Sequence, residues 1–201
     1  CLDHPEVESV LVVNRTSVNM IHPKLTEILL SNFFDLYSIT DKLSGYNACF
    51  FCLGFSAAGM DEREYTHYTH DLTKYFAETV VELNPNMTFN YVSGAGTDHS
   101  KNGGSMRARV KGKTENVILS LPFKQAYMYR AGTILPENGV KSKVGWYNSI
   151  YMLLRPIFPL RKKMRSITTS TKVGKAMINS ILRGYKKKYL KNRDINRLAR
   201  G

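Results

Sequence analysis

Ala48–Gly54 reads ACFFCLG, Phe89–Gly96 reads FNYVSGAG, and Val110–Glu115 reads VKGKTE. The first two are apolar runs closed by Gly and by Ser-Gly. A helix-forming stretch separates them, and VKGKTE belongs to a further helix. This order describes two successive βα units whose strand ends carry small polar residues, the place where open α/β sheets hold ligands. A nucleotide-binding site is the first expectation.

Working outward, Glu8–Asn14 (ESVLVVN) is a short β-branched run bounded by polar residues, with Arg15 directly after it. It reads as a buried parallel strand. Leu25–Leu30 reads as another, followed by a helical turn over Leu36–Leu43. Gly45 and Asn47 mark the turn into a strand at Ala48–Leu53. Asp61, with Glu64 three residues on, is an N-cap for a helix reaching Leu83. Tyr65, Tyr68, Leu72, Tyr75, Phe76, Thr79 and Val80 lie near helical spacing along it, and Asn84-Pro85-Asn86 stops it. Beyond it come a strand at Met87–Val92, a polar loop to Ser105, a helix over Met106–Leu119, and a strand at Gln125–Arg130. A last helix is expected over Lys172–Leu190, with Val173, Met177, Ile181 and Leu182 on one face. Short apolar strands alternating with helices imply right-handed crossovers and a parallel sheet covered on both sides. The fold class expected is α/β.

The 201 residues carry 29 Lys and Arg against 16 Asp and Glu. Residues 1–160 hold 15 of each sign, whereas 161–201 hold 14 basic residues and only Asp194. A neutral body with a basic end attracts anionic surfaces, a membrane or an acidic protein partner; the simpler reading is a solvated helical end. Nucleic acid is not an expected partner. Residues 1–140 read as the ligand-binding domain. Residues 141–201 read as a basic helical or lid segment packed on it, in which WYNSIYMLLRPIFPL (146–160) is a substrate lid, an interfacial patch or core.

Cys1, Cys49 and Cys52 are an odd set with two members in an apolar strand, which suits buried thiols in a reducing cytoplasm rather than a disulfide scaffold. Three residues along a strand put Cys49 and Cys52 on opposite faces, against a metal or redox pair. His67 and His70 have helical spacing but no third ligand nearby in sequence, so packing is expected and no metal is assigned. No run of about 18 apolar residues is present. A cytoplasmic location, with peripheral membrane contact through the basic end, follows as an expectation.

FCLGFSAAG (51–59), YVSGAGTD (91–98), RVKGKTE (109–115) and YRAGTI (129–134), in this order and spacing, resemble the atypical, epimerase-like branch of the short-chain dehydrogenase/reductase superfamily, near the Tat-interacting oxidoreductase-like proteins. The resemblance covers roughly residues 5–140 and continues weakly into VGKAMINSIL. It implies a Rossmann-like doubly wound sheet, an NAD(P) cofactor and a small-molecule substrate. Arg15 then matches the basic residue that pairs with the 2′-phosphate of NADP, and Asn32 and Phe33 match positions contacting adenine. Cys52, Leu53 and Gly54 match the strand-end loop alongside the cofactor. Ser93 matches the active-site serine, and Lys111 the lysine that holds the nicotinamide ribose. Arg130, Gly132 and Ile134 match the segment lining the nicotinamide, with Ala131 in place of the usual Pro. NADP(H) is thereby expected over NAD(H).

Two departures shape the functional expectation. The family opens with a strand and a Gly-rich turn that cradles the pyrophosphate. This sequence shows neither, so a sheet lacking its first βα unit, a truncated start and weakened cofactor binding are expected. The family also places its acidic Tyr four residues before the Lys, where this chain has Arg107, which cannot donate a proton near neutral pH. The expected function is an NAD(P)-binding protein acting as an oxidoreductase on an unassigned carbonyl or hydroxyl. The alternative is a non-catalytic dinucleotide sensor or scaffold docked through its basic end.

Overall fold

A computed structural model describes residues 1–98, 100, 104–137 and 167–201. Strands β1 (Val10–Asn14) and β2 (Leu25–Leu29) pair in parallel. Strands β3 (Ala48–Phe51), β4 (Thr88–Tyr91), β5 (Gln125–Arg130) and β8 (Tyr189–Lys191) form a four-stranded parallel sheet in the order β3-β4-β5-β8. A small parallel pair, β6 (Thr133–Leu135) with β7 (Ile167–Thr169), lies beyond β5 in sequence. Among the described residues, no strand pairs with the second edge of β1 or of β3. That is the form expected of a Rossmann sheet without its first βα unit.

Both faces of the main sheet are buried, and β5 shows how. Met128 points into a core with Leu36, Phe51, Val80, Phe89, Tyr91 and Ile118. Its neighbours Tyr127 and Tyr129 point the other way, into a second core with Val173, Met177, Leu190, Ile195 and Leu198. Successive side chains alternate faces, so the apolar run 126–129 serves two layers. Leu11, Val13 and Ile28 pack against the first of these cores, which joins the β1–β2 pair to the main sheet through side chains.

The helices begin where local chemistry sets them. Asp61 caps α1 (Glu62–Thr66), accepting from the Glu64 amide at 2.8 Å. Ser105 caps α3 (Met106–Ser120), and Thr169 caps α4 (Ser170–Leu182). A π-helical turn, His67–Asp71, separates α1 from α2 (Leu72–Leu83). Its wider winding rotates the buried face, so Thr69 and His70 turn inward while Tyr68 stays exposed. Regular 3.6-residue spacing had put Tyr68 on the inner face.

The C-terminal helix is shorter than its apolar periodicity suggests. It stops at Leu182, where Gly184 adopts φ +67°, the left-handed conformation that commonly ends helices. The lysine-rich stretch that follows enters β8, whose Leu190 is fully buried, and α5 (Asn192–Leu198) closes the second core. The expected lid at 146–160 lies outside the described residues. Among the described residues, no helix is long and apolar enough to cross a membrane.

Asn84 ends α2 and does more than stop it. Its buried side chain accepts from the Tyr46 amide at 2.9 Å and donates to the carbonyls of Leu43 and Val80 at 2.9 and 3.1 Å. Replacing it with Ala strands these backbone groups, so Asn84→Ala should lower stability by about 2–3 kcal/mol. Urea denaturation should show a lower midpoint with an unchanged slope.

Candidate functional site

Parallel pairing brings the C-terminal ends of β3, β4, β5 and β8 to one edge of the main sheet. The chain leaving β4 stays zipped to β5 for three more residues. The amides of Ser93 and Gly94 donate to the Tyr129 carbonyl, and that of Ala95 donates to Ala131 at 2.8 Å. The Gly132 amide donates to the Asn192 side chain at 2.9 Å, fixing the exit of β5 to the start of α5. Ser93 is fully buried by this arrangement, and its Oγ has no hydrogen-bond partner. A buried hydroxyl without a partner is costly.

Helix α3 presents Arg107, Lys111 and Glu115 at successive i, i+4 positions, which share one helix face. Lys111 Nζ donates to the Ser93 carbonyl oxygen. Burial, and then the neighbouring Arg107 charge, lower the Lys111 pKa to about 8 against an opposing pull from Glu115. The Arg107 guanidinium lies against Gly94. A Cβ added there would meet Arg107 Nη2 at 2.9 Å, with Lys111 Nζ and the Ala131 carbonyl oxygen each at 3.9 Å. Gly94 also has φ +105°, a second reason for glycine at this point.

Glu115 is buried completely, and its carboxylate receives Arg130 from β5. Arg130 Nε lies 3.0 and 3.1 Å from the two oxygens, and Nη2 closes the fork. The guanidinium sits 4.3 Å above the centre of the Tyr189 ring on β8. Burial works against the Arg130 charge, but Glu115 outweighs it and holds the Arg130 pKa above its ordinary value. One ion pair thus ties α3, β5 and β8 together.

The structure brings Ser93 and Lys111 into direct contact, with Gly94 and Arg107 beside them and Arg130 linked through Glu115. Gly132 joins them through the β5 exit, and Ile134, on β6, packs half-buried against the second core. Cys52 and Gly54 are exposed beyond β3, and Leu53 packs against the first core. A Cβ at Gly54 would meet nothing within 4 Å, so this strand end faces open space. Arg15, Asn32 and Phe33 lie at the ends of β1 and β2. Arg15 and Asn32 are exposed, and among the described residues no hydrogen bond or ion pair links them to the Ser93–Lys111 cluster. Glu27 pins the loop after Arg15 by accepting from Ser17 Oγ and the Val18 amide at 2.6 and 2.8 Å.

Several contributors escape sequence reading. Phe34 stacks on His67 at 4.5 Å with a 12° interplanar angle, and His70 Nδ1 lies 2.8 Å from Asp71. The Phe34–His67 stack joins residues 33 positions apart and has no local sequence signal. Asn192 and Glu115 are visible only once β8 and α3 are in place. Among the described residues, no group of His, Cys, Asp and Glu forms a metal-binding cluster. Cys49 and Cys52 are free thiols, and burial pushes the Cys49 pKa up.

No family model and no curated protein sequence matches the chain. Solved structures do. The structure of gox2253 superposes with TM-score 0.62 at 12% identity over 91% of this chain, which spans 61% of that protein's length. The dTDP-glucose 4,6-dehydratase DesIV from Streptomyces venezuelae, with NAD bound, gives TM-score 0.61 at 10% identity, covering 96% of this chain and 71% of that one. A small-chain dehydrogenase in complex with NADPH gives TM-score 0.56 at 10% identity, covering 94% and 99%. The chain therefore shares the Rossmann-like α/β fold of these structures, with the parallel sheet that its sequence leads one to expect.

Two predictions follow from the charges. Glu115→Gln leaves Arg130 nearly buried without its counter-ion and should cost about 3 kcal/mol, and a second change, Arg130→Met, should recover much of this; chemical denaturation of the single and double variants measures both. Lys111 is disfavoured in its charged form by folding, so the unfolded chain binds its proton more tightly between pH 8 and its ordinary value of 10.5. Stability should then rise with pH through that window. Against Lys111→Met as reference, denaturation at pH 7 and pH 10 should show the difference moving in the parent's favour.

Proposed function

We propose that this chain, with its short-chain dehydrogenase Rossmann fold, binds a nicotinamide dinucleotide along the C-terminal ends of its strands and acts on a carbonyl or hydroxyl at Ser93 and Lys111. One observation carries the reading. Lys111 Nζ is held on the Ser93 carbonyl beside a buried, unpartnered Ser93 hydroxyl, so a donor and a cation converge at the end of β4.

The residues fit such a cofactor in chemistry. Gly54 leaves its strand end open, Arg15 offers an unshielded planar cation for a ribose phosphate, and Lys111 and Gly132 flank the position expected for nicotinamide. When bound, the nicotinamide supplies or accepts hydride. The protein's own part is proton handling and orientation. Ser93 Oγ can satisfy its missing hydrogen bond with a substrate oxygen. Arg107 stands where a phenol would serve as acid and cannot give up a proton. Lys111 can: its pKa of about 8 lets Nζ hold a proton at neutral pH and release it to an oxygen gaining charge.

Arg107 also favours a second reading, dinucleotide binding without turnover, in which the basic C-terminal region docks on an acidic surface. Carbonyl reduction separates the two. Under the catalytic reading, reduction requires protonated Lys111, so turnover should fall as pH rises above about 8. Binding without turnover across a carbonyl panel would leave the sensor reading.

Thermal unfolding tests cofactor binding itself. A ligand present at 100 times its Kd and specific for the folded chain adds about 2.7 kcal/mol, or roughly 5–10 °C in Tm at this size. NADPH should produce such a rise. Arg15→Ala should reduce it while leaving any NADH shift unchanged, and no rise with either dinucleotide would overturn the proposal.

A further inference from the structure

Arg107 is exposed, and among the described residues it makes no ion pair or hydrogen bond. Its neighbours along α3 are otherwise engaged. Arg109 pairs with Glu62 at 2.6 Å, and Glu115, the carboxylate on the Arg107–Lys111 face, is committed to Arg130. The guanidinium therefore stands beside the Lys111 ammonium with like charges close together and no anion between them. Such an arrangement is unfavourable until something negative enters.

The geometry limits what that is. Arg107 Nη2 and Lys111 Nζ both lie within 4 Å of one point, the Cβ position that Gly94 lacks. Lys111 also touches Ser93, whose hydroxyl awaits a partner. A ligand held by both cations places its anionic group at the end of β4, next to Ser93. A carboxylate suits the guanidinium, whose planar fork binds it bidentately.

We propose that the end of β4 receives a substrate carrying a carboxylate directly attached to the reacting carbon, a 2-oxo or 2-hydroxy acid, and that Arg107 is the group that binds the carboxylate. The proposal rests on the dinucleotide-dependent reading of the same strand end. Reduction would form one C–H bond from the hydride of the dinucleotide and one O–H bond from the Lys111 proton. The carbonyl is reduced and the dinucleotide oxidised. The missing phenol is then replaced by a pair with divided tasks, Arg107 for binding and Lys111 for the proton.

The test is calorimetric titration of the full chain, with and without saturating NADPH, using oxamate as an unreactive 2-oxo acid mimic and oxamide as its neutral counterpart. Oxamate should bind about 10- to 100-fold more tightly than oxamide. Arg107→Gln should remove that preference, and Arg107→Lys should restore part of it. The NADPH-induced rise in Tm should be the same in Arg107→Gln as in the parent, which also shows the variant folded. NADPH binding without any oxamate preference, or a preference surviving in Arg107→Gln, would overturn the anion site and leave the cofactor reading standing. An Arg107-dependent oxamate preference without NADPH binding would support the anion site and overturn the cofactor reading.

Discussion

The burial of Glu115 is the constraint on which the rest of the site depends. A carboxylate removed wholly from water needs a counter-charge with good geometry. Arg130 supplies it from the last residue of β5, held over Tyr189 of β8. The pair fixes the height of α3 above the sheet. With that height set, Lys111 falls one turn earlier on the same face, where it meets Ser93 at the end of β4. Arg107 follows a turn earlier again, against Gly94. Three side chains with chemical potential are positioned by a fourth that has none of its own to offer a substrate.

A second structural consequence concerns the strand ends. Because β4 and β5 remain hydrogen-bonded past their regular ends, Ser93 and Gly94 are held by the backbone of β5 rather than left in a loop. Reactive groups are more precisely placed on rigid elements than on loops. Here the rigidity comes from both layers. Tyr127 and Tyr129 anchor β5 in one core while Met128 anchors it in the other. Ser180 of α4 reaches Asn90 of β4 at 3.0 Å, so the C-terminal layer also holds the strand that presents Ser93. The basic C-terminal stretch therefore contains elements of the site's own scaffold as well as surface charge.

Much of this was legible in the residues, and the reasons for the rest are specific. Continuous apolar runs such as residues 126–129 and Ala48–Phe51 mark strands packed on both faces, and Asp61 and Ser105 announce helix starts through their side chains. The Ser93–Lys111 pairing was readable only through four motifs in register, since a lone helical lysine carries no such signal. Strand β8 was hidden because a three-residue strand with one buried side chain, Leu190, is indistinguishable from the polar run around it. Its place is decided by the edge of β5, a long-range contact that local periodicity does not encode. The π turn defeats helical spacing for the complementary reason: one added residue per turn changes the face, and Tyr68 and His70 exchange environments.

Substituting a guanidinium for a phenol changes what the lysine beside it can do. A lysine paired with a phenol stabilises the phenolate and keeps its own proton, because the opposite charge raises its pKa. A lysine beside arginine meets a permanent positive charge, which adds to the larger effect of burial in lowering the Lys111 pKa to about 8. Under the proposed catalytic reading, the same ammonium shifts from a spectator of proton transfer toward a donor. The Arg107 charge that contributes to this shift also needs an anion to neutralise it. A bound anion would raise the Lys111 pKa again, so filling the cleft would load the lysine with its proton at the moment a substrate oxygen is placed to receive it. Glu115 cannot play that part, because its carboxylate is spoken for by Arg130. Easier proton release by Lys111 and anion binding are in this way both favoured by one residue, Arg107.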